Sequence, residues 1–237
     1  HRFPKLNSSF VWLFYININI FINMKRYIQK LLRENLVGED YPSSWNIEEF
    51  KKLNSFTKRV EYCNTHLKRL AAGSSRVVYM VDNEKVLKLA KNKKGLAQNE
   101  VEIEYGNYYD LSGIVAKVFE SDENNLWVEM ELAKKVTPNI FKNVVGVSFD
   151  EYANAMKYNY FTNIKPNRYP TAKPENMDEM WDNEFVYEML SFMGNYDIPV
   201  GDLGRLSTYG LVNRDGSDTI VMIDYGLTND VYGTYYS

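Results

Sequence analysis

The sequence predicts an α+β fold: a small antiparallel sheet first, and a helix-rich unit after it. Two observations carry this reading. Between Arg76 and Ala133, four short runs rich in β-branched and apolar residues come in two pairs, and each pair is bridged by turn residues. Beyond Lys134 those runs give way to capping signals and to apolar residues three or four apart, the spacing of one helix face.

Bulk properties narrow the class. With 237 residues, 45% of them hydrophobic and 25% charged, the chain has the composition of a folded protein with room for a two-lobed domain or two small ones. A net charge of −3 with no long basic run argues against nucleic-acid binding through phosphate neutralisation. Cys63 is the single cysteine, so no internal disulfide forms, which fits a reducing cytoplasm. His1 and His66 are the only histidines, a poor basis for a zinc site or a histidine-based triad.

The N-terminus is read separately. Phe10–Ile22 is apolar but 13 residues long and interrupted by Asn17 and Asn19, whereas a spanning helix needs about 20 residues. No small-residue cleavage site follows it. The chain then restarts at Met24 with MKRYIQKLLRENL, so residues 1–23 read as an upstream extension outside the native protein, with a membrane or export anchor as the alternative. No membrane partner is expected.

Residues 24–67 are read as N-terminal helices. The first covers 24–36. The second opens at Asn46, with Glu49 as its capping partner, and carries Phe50, Leu53, Val60, Cys63 and Leu67 on one face. Cys63 lies on that apolar face and reads as a buried thiol, not a nucleophile. Residues 76–81 and 85–90 form a hairpin across Asp82-Asn83-Glu84, and 114–120 pairs with 126–133 across residues 121–125, giving four strands. The stretch 95–111 between the pairs is read as largely helical. Glu100–Tyr105 also alternates like a strand, but Leu96 and Ile103 share a helical face and Gly106-Asn107 is a natural stop. Further on, Ser148 and Glu151 form a capping box, Pro166, Pro170 and Pro174 break a loop, and one helix follows with Met177, Trp181, Phe185, Met189 and Phe192 on one face.

The chemistry-bearing motifs follow in order along this frame. Ala71-Ala72-Gly73-Ser74-Ser75-Arg76-Val77-Val78 is a small-residue loop entering a strand. Val86-Leu87-Lys88-Leu89 sets a lysine in an apolar strand, a costly place unless the charge is paired. Trp127–Ala133 is an apolar strand running into a connector. Asp202 lies in a loop, and 22 residues later Asp224-Tyr225-Gly226 closes the apolar strand Ile220–Ile223. Taken together, these residues resemble the protein-kinase-like superfamily, in particular small kinase-like proteins of bacteriophages, over residues 68–232.

The resemblance implies a bilobal fold, with a small antiparallel sheet over 68–133 and a truncated helical C-lobe over 134–237. It implies roles as well. Gly73, Ser74, Ser75 and Arg76 would meet phosphates, with the glycine allowing close backbone approach. Lys88 would hold phosphate oxygens and pair with a helix glutamate, for which Glu100 fits best. The backbone of Glu131 to Ala133 would meet an adenine edge, with Met130 near the gatekeeper position. Asp202 would orient an acceptor hydroxyl and take its proton, while Asp224, with Ser207, would bind magnesium. The chain departs from the family pattern at three places. Only the central glycine of the loop is kept. Val200 and Gly201 replace a His-Arg pair. Ser207 stands where the family has a metal-binding asparagine, which weakens a second metal site.

Only 13 residues follow Asp224, so an activation segment and peptide-docking helices are not expected. An acceptor would be held by residues 136–175 or by a partner. The resemblance thus implies an ATP- and magnesium-dependent phosphotransferase acting on a hydroxyl of a protein or small molecule. The alternatives are a nucleotide-binding pseudokinase, a scaffold without nucleotide, and nucleotidyl transfer on the same fold.

Overall fold

A computed structural model of the chain describes residues 44–166 and 172–236. The expectations for residues 1–23, the helix at 24–36 and Pro170 lie outside the described residues. The described part has the α+β class that the sequence predicts.

A five-stranded antiparallel sheet comprises β1 (Lys68–Ala72), β2 (Arg76–Met80), β3 (Lys85–Ala90), β4 (Val118–Ser121) and β5 (Trp127–Glu131), in the order β1-β2-β3-β5-β4. Both expected hairpins are present, and β3 pairs with β5 so that Lys88 lies opposite Val128. The fifth strand, β1, was not expected. All five of its residues are exposed, so it shows no alternation to read. As an edge strand bearing Lys68 and Arg69 it is also protected against further pairing.

Alternation divides the sheet into two functional faces. Arg76 and Val78 of β2, Val86 and Lys88 of β3, and Val128 and Met130 of β5 share the inner face. Val86, Val128 and Met130 join the main hydrophobic core there. Val77, Tyr79, Leu87, Leu89, Trp127 and Glu129 share the outer face, beneath two short helices, α1 (Ile47–Lys51) and α2 (Phe56–His66). Phe50 meets the edge of the Trp127 ring, and the Tyr79 hydroxyl donates to Asn64 Oδ1 at 3.0 Å. The sequence pattern reads α1 and α2 as one helix; the structure breaks them at Leu53-Asn54 and restarts with Ser55 as N-cap, its hydroxyl accepting from Lys58 N. Asn46 caps α1 as expected, accepting from Glu48 N and Glu49 N. Cys63 is fully buried, as expected, and burial pushes its thiol up to about 12, far from a nucleophile's range.

Helix α3 (Lys93–Gly106) packs against the inner face, and the helical reading of this stretch is the correct one. After β5, the two-residue strand β6 (Lys134–Lys135) leads to α4 (Pro138–Val145) and α5 (Phe149–Asn159), with the Ser148/Glu151 capping box formed in both directions. The single helix expected after Pro174 is two, α6 (Met177–Asp182) and α7 (Glu184–Asn195). Asn183 divides them by capping α7 through Val186 N and by donating to Val145 O at 2.8 Å. A short helix α8 (Val200–Leu203), the hairpin β7 (Tyr209–Arg214) and β8 (Ser217–Met222), and α9 (Asn229–Tyr235) complete the fold. Phe141, Tyr152, Phe185 and Tyr209 form an aromatic cluster that ties α4, α5 and α7 to β7. None of the helices among the described residues is long and apolar enough to cross a membrane.

Glu129 is the exception on the outer face. It is 3% exposed, and its Oε1 is sealed from solvent without a hydrogen-bond partner. Burial pushes its carboxyl up to about 7, against the pull of Lys85 and Lys51 and with the push of Glu120 and Asp82. Folded chain keeps this proton up to pH about 7, whereas unfolded chain releases it in the ordinary glutamate range. The unfolded state therefore binds fewer protons between those limits, so stability falls as pH rises through that window and levels off above it. Glu129→Gln is expected to be the more stable protein above neutral pH, by on the order of 3 kcal/mol, with the gap closing below about pH 4.5. Urea denaturation across that range checks this, and a gap independent of pH would remove Glu129 as its source.

Candidate functional site

The site grows from the inner face of the sheet. Lys88 is 6% exposed in the middle of β3, where an unpaired ammonium would be costly. Its Nζ donates to Glu102 Oε1 at 2.8 Å, Glu102 Oε2 at 2.9 Å and the Ile223 carbonyl at 2.7 Å. An ammonium has three N–H bonds, so every one is matched within the protein. Burial depresses the Lys88 pKa more than Glu102 restores it, and Arg76 depresses it further.

The glutamate partner is thus Glu102, not Glu100. Glu100 is exposed on α3, whereas Glu102 is wholly buried. The buried face of α3 runs through Gly95, Gln98, Asn99 and Glu102, spaced three, one and three residues apart. It is a polar face, so the apolar pair Leu96 and Ile103 gave the wrong phase. The signal present in the sequence was the polar stripe at helical spacing that ends on a small residue, Gly106.

Arg76 departs furthest from expectation. It is 7% exposed, and its guanidinium is held inside the protein. Nη1 donates to Glu102 Oε2 at 2.6 Å and to Asn99 Oδ1 at 3.4 Å, and Nη2 donates to Asp224 Oδ1 at 2.5 Å. Burial alone would lower its pKa, but Glu102 and Asp224 outweigh burial and raise it, so it stays charged. The loop before it is also tied inward. Gly73 N–H donates to the Arg76 carbonyl at 2.9 Å, and its φ is not in the left-handed region. Lys91 Nζ and Asn92 Nδ2 donate to the carbonyls of Gly73 and Ser74, and the Ser75 hydroxyl donates to Gln98 Oε1 at 2.7 Å. Two of the expected phosphate donors, the Gly73 amide and the Ser75 hydroxyl, are therefore turned to internal bonds.

Asp224 closes the network from the C-lobe side. The strand before it is pinned where Ile223 N donates to Thr208 O and Met222 N to Ile114 O. Tyr225 is buried and its hydroxyl donates to the Ala116 carbonyl at 2.9 Å. At Gly226 an added Cβ would come within 2.4 Å of the Gln98 carbonyl, so this turn lies flat on α3 only because it has no side chain. The Asp224 side chain is surrounded by the protein yet 61% exposed, so it is reachable from the cleft. Enclosure pushes its carboxyl up, but Arg76 and Lys88 outweigh that and hold it below the ordinary aspartate range.

A cavity of about 430 Å³ opens over these groups. Gly73, Ser74, Ser75, Arg76 and Lys88 line one side, Met130, Glu131, Leu132 and Ala133 line the connector, and Ser207 and Asp224 line the floor. Glu131 contributes backbone only. Its carboxylate turns away to Arg214, Oε2 to Nη2 at 2.5 Å and Oε1 to Nε at 3.4 Å, and Arg214 also donates to the carbonyls of Ser112 and Val115. Arg214 was not anticipated by sequence reasoning.

Asp202 does not line the cavity. It lies in α8, accepts from Arg205 Nη1 at 3.4 Å, and has its carbonyl held by the Thr208 hydroxyl at 2.9 Å. Burial and the nearby charge of Asp224 raise its pKa, while Arg205 lowers it. The structure thus gathers Lys88, Arg76, Asp224, the connector backbone and Ser207 around one cleft, keeps Asp202 within electrostatic reach of it, and leaves Glu100 outside.

The cavity has an apolar slot at Val78, Val86 and Met130 and a cationic wall at Arg76 and Lys88, a combination that fits an aromatic base and an anionic tail. A magnesium ion fits less well. Its expected ligand Asp224 has Oδ1 committed to Arg76, and no cluster of three or more acidic, histidine or cysteine side chains forms a metal site among the described residues.

A sheet lysine paired to a glutamate of the packed helix, a connector, and a hairpin ending in an aspartate thus follow one another in the order expected from the sequence, with Glu102 in place of Glu100. No family model and no curated protein matches the chain. Among solved structures, the streptomycin–ATP ternary complex of APH(2'')-IIa is 12% identical, over 73% of this chain and 71% of that one, with a TM-score of 0.33. ADP-bound aminoglycoside phosphotransferase APH(2'')-Ib is 13% identical over the same shares, with a TM-score of 0.32. The PknI kinase domain of Mycobacterium tuberculosis is 14% identical, over 68% of this chain and 58% of that one, with a TM-score of 0.33. Likeness at this level carries nothing about chemistry.

Removing Glu102 would leave buried Lys88 without a carboxylate partner and Arg76 with Asp224 alone, whereas Glu100 faces water. Glu102→Gln is expected to destabilise the chain by about 3–5 kcal/mol and Glu100→Gln by less than about 0.5 kcal/mol. Urea denaturation of both variants checks this, and equal effects would contradict the assigned partner.

Proposed function

We propose that the cleft binds a purine nucleoside triphosphate, ATP in the first place, and that the chain is a kinase-like phosphotransferase with a hydroxyl acceptor. The buried Lys88–Glu102 pair set beside a reachable Asp224 carries this reading. Packing alone does not call for two buried cations and two carboxylates at the floor of an otherwise apolar slot. The base would lie between Val78, Val86 and Met130, against the backbone of Glu131 to Ala133, and the phosphates would lie toward Arg76 and Lys88. Gly73, Ser74 and Ser75 would cover them, with Ser74 retaining a hydroxyl for the purpose.

Asp202 is the proposed residue for orienting the acceptor. Its raised pKa suits a group that takes a proton from a hydroxyl as charge moves to the leaving phosphate. A divalent cation would supply charge neutralisation between phosphate oxygens, and Asp224 with Ser207 would be its protein ligands only where Asp224 is released from Arg76. The acceptor itself would be a protein or small-molecule hydroxyl.

One observation favours a second reading, a nucleotide-binding protein with little transfer. All three N–H bonds of Lys88 are matched internally, Gly73 N–H is spent on the Arg76 carbonyl, and the Ser75 hydroxyl on Gln98 of α3. A phosphate arriving there would have to displace existing partners.

Asp202→Asn separates the two. The carboxylate is disfavoured where it stands, so the amide is expected to leave thermal stability at neutral pH no lower than wild type. Transfer from radiolabelled ATP should fall by about 100-fold or more, with ATP affinity unchanged. Equal turnover in wild type and variant would discard Asp202 as the orienting group, and wild-type transfer no faster than without protein would leave the binding reading.

A further inference from the structure

The guanidinium of Arg76 stands where a cation is needed. It lies between Glu102 and Asp224 at the cavity wall, 148 residues in sequence from Asp224. A guanidinium has five N–H bonds in a planar fork. Three are used, two from Nη1 to Glu102 and Asn99 and one from Nη2 to Asp224. The Nε–H and the second Nη2–H have no partner among the described residues, and Arg76 lines the cavity. Lys88 has no N–H left. Of the two buried cations, Arg76 is therefore the one with donors to offer an anion.

The charges also close. Arg76 and Lys88 balance Glu102 and Asp224 one for one, so the site carries no excess negative charge to draw in a divalent ion. A metal at Asp224 would have to share that carboxylate with Arg76, whose side chain is 8% exposed and holds Oδ1. From this we infer that Arg76 serves as the resident counter-cation of the cleft: it neutralises Asp224 and donates to the nucleotide phosphates, so that nucleotide binding needs no divalent metal. The inference rests on the nucleotide reading of the cleft given above and deepens it. It also sets metal and Arg76 in competition for Asp224, so that freeing Asp224 creates a metal requirement where none existed.

The test is calorimetric titration of the full chain with ATP, once in excess EDTA and once in excess magnesium. Wild type is expected to bind in both, with dissociation constants within about threefold of each other. Arg76→Ala is expected to lose about tenfold or more in EDTA and to recover in magnesium, because Asp224 is then open to the ion. Arg76→Ala leaves Glu102 with Lys88 alone and so carries a folding risk. Asp224→Asn covers that case, since it keeps the Arg76–Glu102 pair, and it is expected to retain ATP binding in EDTA within about threefold of wild type. Titration with manganese alone, followed by electron paramagnetic resonance, should show no tight site in wild type. Wild-type binding that needs magnesium by tenfold or more, or that is abolished in Asp224→Asn, overturns the role of Arg76 while leaving the cleft a nucleotide site. Absence of ATP binding under every condition overturns the cleft reading and the role of Arg76 with it.

Discussion

The four-charge network of Arg76, Lys88, Glu102 and Asp224 is the constraint on which the rest depends. It joins β2, β3, α3 and the turn after β8 at one point. Such a network is not a free gain, because taking each ion out of water costs several kcal/mol and only close geometry repays it. Short bonds and a matched count of charges meet that condition here. The cost of losing Glu102 is therefore larger than its own bonds suggest, since it leaves the buried Lys88 charge without its carboxylate. This fixes α3 against the sheet more narrowly than apolar packing would, and it explains why the packed face of α3 is Gly95, Gln98, Asn99 and Glu102 instead of an apolar stripe.

The sheet serves two masters through simple alternation. Odd and even positions along β2, β3 and β5 send the cleft residues one way and the residues under α1 and α2 the other. Strand β3 shows the consequence: Lys88 points into the charge network, while Leu87 and Leu89 beside it are buried on the opposite face. A continuous apolar run around a lysine therefore signals burial on both faces, and the lysine's own face is set by register alone. Glu129 is the counterpart on the outer face, a buried carboxyl that has no pairing arginine and so stays protonated up to about pH 7.

What was legible in the sequence follows from these rules. Both hairpins could be read because their turns carry Asp82-Asn83-Glu84 and Asp122–Asn125, whose side chains bond the turn amides, as Asp82 does to Glu84 N. Lys88 and Asp224 could be read because a charge inside an apolar strand, or at its end, demands a partner. Strand β1 could not, since an exposed edge strand has no buried face to leave a pattern. The helix breaks at Ser55 and Asn183 were hidden because the apolar spacing continues in phase across them, and only the capping side chain marks the interruption. Glu102 was missed for the opposite reason. Its face of α3 is buried but polar, and a rule that equates burial with apolar residues selects the neighbouring phase. The role of Arg76 was out of reach, because it depends on Asp224 being brought back over 148 residues.

The hairpin β7–β8 makes the cleft one unit instead of a set of separate parts. At its start, Tyr209 donates to the Leu203 carbonyl at 3.1 Å and accepts from the buried Tyr152 hydroxyl at 2.6 Å, which fixes helix α8 with Asp202 on it. At its turn, Arg214 clamps Glu131 and so holds the connector that lines the cavity. At its end, β8 delivers Ile223 to Lys88 and Asp224 to Arg76. Between them Gly210 lets the hairpin close on the connector, since a Cβ there would fall within 2.2 Å of the Ala133 Cβ. The connector, helix α8 and the charge network are thus referenced to the same two strands. A ligand that shifts the connector must also load the hairpin, and through it the position of Asp224 relative to Arg76. The connector and the turn that carries Asp224 are therefore joined through backbone that is hydrogen-bonded along the hairpin.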